Sequence, residues 1–144
     1  MPTETDFAKA LMVLKEGDVE FIIVGGVAAI LNGLGYTTYD LDVVYSRERA
    51  NIQKLVRCLE PYSPYLRGAP PGLPFKLDER TVRMGLNFTL VTAFGDLDLL
   101  GEVTAIGGYR ELLYQDAANS AAPSRLTGHR RRAQTAPRGE GWLN

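Results

Sequence analysis

Two stretches of the chain alternate acid and aliphatic residues one for one: Asp40-Leu41-Asp42-Val43 and Asp96-Leu97-Asp98-Leu99. A period of two belongs to a β-strand, where successive side chains leave opposite faces. Each stretch is therefore a strand with one apolar face turned to a core and one acidic face turned away from it. Two such strands must bury their aliphatic sides, and the helical patterns around them offer the means. Phe7, Ala10, Leu11 and Leu14 recur at helical spacing after Asp6 and before Gly17. Ile52, Leu55, Val56 and Leu59 form a second apolar stripe, with Ser46 expected as its cap and Pro61 as its end. A short helix is expected between Asp78 and Gly85, and a last one over Tyr109–Ala117.

Phe21–Val24 is a short apolar run rich in branched residues, ended by Gly25-Gly26, and reads as a buried strand. Val27–Leu31 follows as a short helix closed by Asn32-Gly33, then a loop rich in Gly and hydroxyls. Asn87–Thr92 alternates as a strand, whereas residues 60 to 75, with five prolines, read as an irregular connection. The expected fold is α/β (α+β), a small mixed β-sheet with flanking helices.

The balance of 45% hydrophobic and 23% charged residues in 144 fits one globular domain. That domain is expected over residues 1–118. Residues 119–144 hold Arg125, Arg130, Arg131, Arg132 and Arg138 among Ala, Pro, Gly and Thr, and are expected to be a disordered or weakly packed basic tail. A net charge of −1 provides no overall attraction to nucleic acid or anionic lipid. One cysteine, Cys58, excludes an internal disulfide and a cysteine metal cluster. No apolar stretch is long enough to span a bilayer, and the polar start does not read as a signal peptide. A cytoplasmic protein with no membrane contact is expected.

Asp40 and Asp42 share one strand face, with Cα atoms ~6–7 Å apart. Carboxylates that close in a partly dry site repel, so one takes a proton or both find a cation. Hard divalent ions such as Mg²⁺ take carboxylate oxygens, and two-metal sites hold ions ~3.5–4 Å apart. Alone, an Asp-x-Asp pair is more often a solvated strand face. Gly25-Gly26 shifts the balance: two glycines opening a helix expose backbone N–H groups and let an anion approach closely. The acidic strand Asp96–Leu100 offers a third carboxylate for a metal or for a hydroxyl proton.

The order of these motifs carries a resemblance. An apolar strand, Gly25-Gly26, thirteen intervening residues and Asp40-Leu41-Asp42-Val43 are similar to the signature of the polymerase-beta-like nucleotidyltransferase superfamily. Over residues 5 to 118 the chain looks closest to small bacterial stand-alone members related to abortive-infection and toxin–antitoxin nucleotidyltransferases. The resemblance implies the nucleotidyltransferase fold and transfer of a nucleoside monophosphate from an NTP to a hydroxyl, with two Mg²⁺ ions. It implies that Gly25, Gly26 and Thr38 bind nucleotide and that Asp40, Asp42 and Asp98 are the catalytic and metal-binding acids, Asp98 being preferred to Asp96. The acceptor is open among RNA, protein and a small molecule. The chain departs from the pattern at Tyr36, where members often carry Arg, and after Leu112, where a strand and a Lys-rich helix are replaced by the Arg-rich tail.

The alternative is a non-catalytic nucleotide-binding or protein-interaction module of the same fold with an incomplete C-terminal part, which a third carboxylate unable to reach the first two would favour. The Asn87–Leu90 strand would then offer an edge to a partner protein or a second copy. Arg67 and Lys76 are candidates to face a triphosphate, although exposed loop cations are usually solvated. His129 has no partner at ligand spacing, Cys58 reads as a core residue, and Gly33-Leu34-Gly35 follows no strand and fails as a dinucleotide motif.

Overall fold

The computed structural model describes residues 4–31, 33, 39–104 and 106–118, with backbone alone for 116–118. Tyr36, Thr38 and the basic tail lie outside the described residues.

Helix α1 (Phe7–Glu16) starts where the Asp6 carboxylate accepts the Lys9 backbone N–H at 3.0 Å, and it stops at Gly17. Gly17 sits against Cys58 so closely that an added Cβ would overlap that side chain. Strand β1 (Phe21–Val24) leads without a loop into helix α2 (Gly25–Leu31). Strand β2 (Asp40–Tyr45) is followed by helix α3 (Arg49–Leu59), whose N-cap is Glu48 rather than Ser46. Ser46 is buried, and its carbonyl and that of Glu20 accept from Asn51, whose own carbonyl accepts from the Glu20 N–H. That exchange ties the start of β1 to the end of β2.

The proline-rich connection is less irregular than its composition implies. After a short 3₁₀ turn it holds strand β3 (Tyr65–Leu66), paired antiparallel with strand β4 (Phe88–Thr92). Helix α4 (Glu79–Met84) lies between them and is capped by Asp78, which accepts from the Thr81 N–H at 2.8 Å. Strand β5 (Gly95–Leu100) turns directly back from β4, and a small hairpin, β6 (Glu102–Val103) with β7 (Gly107–Gly108), precedes helix α5 (Tyr109–Ala118).

The main sheet is mixed, in the order β1-β2-β5-β4-β3. Its edges are β1 and β3. The Asn87–Leu90 segment is interior, flanked by β5 and by β3, so it does not offer the free edge its pattern suggested. The back face (Phe21, Ile23, Leu41, Val43, Tyr45, Leu90, Leu97, Leu99) is buried against α1, α3 and α4 in one core. The front face is divided. At one end Ile22 and Val44 pack with Tyr109 and Leu112 of α5, with Leu100 and Val103 alongside. At the other end, where β2 and β5 begin, the acids stand. Among the described residues no helix is long and apolar enough to cross a membrane.

Candidate metal centre

β2 and β5 run parallel in a register that sets Asp40 beside Asp96 and Asp42 beside Asp98. Because both strands have the same alternation, this pairing places all four acids on the front face and all four aliphatic neighbours behind it. Asp40, Asp42 and Asp98 offer oxygens that lie within 4.8 Å of one another, close enough to share a cation. The Asp98 side chain is 15% exposed, against 33% for Asp40 and 37% for Asp96, which stands outside the triad.

The electrostatics follow from this crowding. Asp42 holds its proton to about 7. Burial is the main cause, followed by the hydrogen bond between the Asp42 and Asp98 carboxyls and by the negative charges of Asp40 and Asp98. Two carboxyls that share a hydrogen bond need a proton between them. A hard cation with oxygen preference serves the same purpose, and this donor set suits Mg²⁺.

The glycine pair has unequal roles. Gly25 adopts φ +72°, a left-handed conformation favourable to glycine, and a Cβ there would overlap the Asp42 carboxylate. The β1–α2 junction thus lies directly against the acids. Gly26 lies in the first turn of α2. Thr38, the remaining expected nucleotide contact, falls outside the described residues.

Two further residues complete the site: Thr5, which the sequence pattern did not supply, and Arg67, which it offered only as a candidate to face a triphosphate. Thr5 uses one hydroxyl to donate to the Tyr39 carbonyl at 2.6 Å and to accept the Asp96 N–H at 2.9 Å, clasping the two parallel strands where they begin. Arg67, a candidate to face a triphosphate or else a solvated loop cation, reaches over the acids. Its Nη2 donates to Asp98 Oδ1 at 2.7 Å and to the Leu90 carbonyl at 2.8 Å, with Nη1 3.9 Å from Asp40 Oδ2. Its Nε, shut off from water, stands 3.5 Å from Asp96 Oδ2 without hydrogen-bonding to it. Lys76 remains exposed away from this cluster, beside Asp78.

A separate cleft of about 540 Å³ opens at the far end of β2 and β5, between Ser46, Arg47, Leu86, Gly101 and Tyr109. Its Arg47 is committed to the Tyr45 hydroxyl and to the Val82 and Arg83 carbonyls, which makes it a brace for α4. The convergence of unlike groups that chemistry needs is at the acid end.

No protein-family model, no curated protein and no solved structure matches this chain.

Proposed function

We propose that the chain is a Mg²⁺-dependent nucleotidyltransferase, acting in the cytoplasm on an NTP and a hydroxyl acceptor. The observation that carries the reading is the mutual reach of Asp40, Asp42 and Asp98, from two strands with 49 residues between them, at an open sheet end against Gly25. A module that had kept the fold and lost the chemistry has no need to hold three carboxylates in range of one ion against their own repulsion.

In this reading Asp40, Asp42 and Asp98 hold Mg²⁺, with Gly25 and Gly26 leaving room for the triphosphate where α2 begins. Bound Mg²⁺ supplies charge neutralisation on the phosphates and on the pyrophosphate that leaves. The chain's residues orient the rest: Gly25 keeps the space over Asp42 clear, and Thr5 fixes the strand spacing. Asp98 is positioned to take the proton of the attacking hydroxyl. RNA, a protein hydroxyl and a small alcohol all fit as acceptor.

A second reading is favoured by one observation, the Arg67 contacts. A guanidinium among Asp40, Asp96 and Asp98 is also what a structural ion-pair network looks like, in a nucleotide-binding or protein-interaction module without turnover. Calorimetric titration of ATP, GTP, CTP and UTP with Mg²⁺ into wild type and Asp40→Ala/Asp42→Ala separates the two. Metal-dependent binding that vanishes in the variant, together with pyrophosphate release from the NTP by wild type, supports the transferase; such binding without pyrophosphate release supports the module without turnover. Absence of binding by every triphosphate removes it and leaves the structural network.

A further inference from the structure

Arg67 is held at its backbone, and at its tip by Nη2 alone. Its N–H donates to the Thr89 carbonyl at 2.9 Å, extending the β3–β4 pairing by one residue. Gly68 then turns the chain with φ +83°, and the Tyr65 hydroxyl closes the following loop by bonding the Pro70 carbonyl and accepting the Leu73 N–H. The backbone of Arg67 is therefore fixed beside the acids, whereas its side chain as a whole is 28% exposed.

The fit of that guanidinium is incomplete. A well-matched arginine fork gives a carboxylate two parallel hydrogen bonds. Here Asp98 receives one, Asp40 is beyond hydrogen-bond distance, and the buried Nε has no hydrogen bond at all. Nη2 also donates to the Leu90 carbonyl at 2.8 Å, so the group rests on one nitrogen and the charge of three carboxylates, and a buried unsatisfied Nε–H opposes that hold. The Asp98 oxygen it occupies belongs to the same carboxylate that closes the triad with Asp40 and Asp42.

We propose that Arg67 is the resident counter-ion of this site and that a divalent cation enters by exchange with it at Asp98. The inference rests on the reading of Asp40, Asp42 and Asp98 as a metal centre. Without metal, Arg67 offsets the repulsion that would otherwise splay β2 from β5. With metal, two cations among the same oxygens repel, so the guanidinium leaves for solvent, where an anionic phosphate is its natural partner. Metal affinity is consequently lower than the triad alone would give, and arginine removal raises it. A merely structural arginine predicts the opposite, because its loss would loosen the acids.

The test is Mn²⁺ titration, by calorimetry and by loss of the free-ion paramagnetic resonance signal, into the full chain as wild type, Arg67→Met and Arg67→Lys. Arg67→Met is expected to bind Mn²⁺ about tenfold more tightly than wild type, with Arg67→Lys between them. In EDTA, Arg67→Met melts below wild type, and saturating Mn²⁺ raises its melting temperature by more than it raises that of wild type. Equal or weaker Mn²⁺ binding by Arg67→Met, with wild type binding, overturns the exchange and leaves the metal centre standing. Binding by neither protein overturns both. Should Arg67→Met fail to fold, Arg67→Lys decides: tighter binding than wild type supports the exchange, and unchanged or weaker binding ends it.

Discussion

The two faces of β2 and β5 are built from the same eight consecutive-pair positions and are opposite in kind. Behind, Leu41, Val43, Leu97 and Leu99 are wholly buried in one core. In front, Asp40, Asp42, Asp96 and Asp98 are partly exposed and mutually repelling, and they sit beside apolar residues that α5 covers. The back face is held by nonpolar contact, which tolerates exchange of one aliphatic for another. The front face is held by register, a proton and one arginine, and each of these depends on a single geometry. The difference teaches that the back face carries the stability and the front face spends some of it on holding like charges together.

The first way to break that contrast is to damage the face that carries it. Leu97→Ala, on the central strand, is expected to cost about 3 kcal/mol, read as a lower midpoint in urea unfolding. The second crosses the faces. Gly25→Ala forces a side chain into a left-handed backbone and into the Asp42 carboxylate. It is expected to cost about 2 kcal/mol and to weaken Mn²⁺ binding at least ~10-fold, the second effect being absent from Leu97→Ala measured below its unfolding midpoint.

The third prediction turns on sign. Folded Asp42 keeps its proton to about 7, whereas an unfolded aspartate loses it near ~4. Between those values the folded chain binds more protons, so this group's contribution is fully present below the unfolded value and is lost as pH rises through the folded one. Asp42→Asn removes the liability. Against wild type in EDTA, it gains melting temperature between about pH 5 and about pH 8.5, by roughly 5 °C. A constant difference across that range would mean the front face carries no such proton. The smallest effect sharpens the contrast within the front face itself. Asp96→Asn, at a half-exposed acid outside the triad, is expected to change Mn²⁺ affinity by less than ~3-fold, whereas Asp98→Asn removes binding.

What could be read beforehand was whatever is local. Period-two alternation announced β2 and β5 and the face of each acid, and the apolar run before Gly25 announced β1. Asp6, Gly17 and Asp78 marked helix ends through chemistry confined to a few neighbours. Strand β3 escaped because two residues have no periodicity and the prolines around them argued for a loop. Ser46 looked like a cap, yet the chain needs two more residues to turn from β2 into α3. Arg67 was legible only as a loop cation that could face a triphosphate, and Thr5 escaped, for a different reason. Their partners lie 31 and 91 residues away, and only the parallel register of β2 with β5 brings those partners to them. The acids of the candidate centre were legible one strand at a time; their mutual distance was not, since it depends on which strands become neighbours.

The Thr5 clasp also has a consequence for the order in which the molecule is made. Thr5 must wait for Asp96 to emerge, and at ~5–20 residues per second that wait lasts several seconds on the ribosome. During it β2 has β1 on one side and nothing on the other, and a bare strand edge invites pairing with any neighbouring chain. Asp40 and Asp42 stand on that strand from the start. Before they have any site to serve, their like charges repel a second nascent copy of the same segment, so the residues that strain the finished fold guard the unfinished one against aggregation.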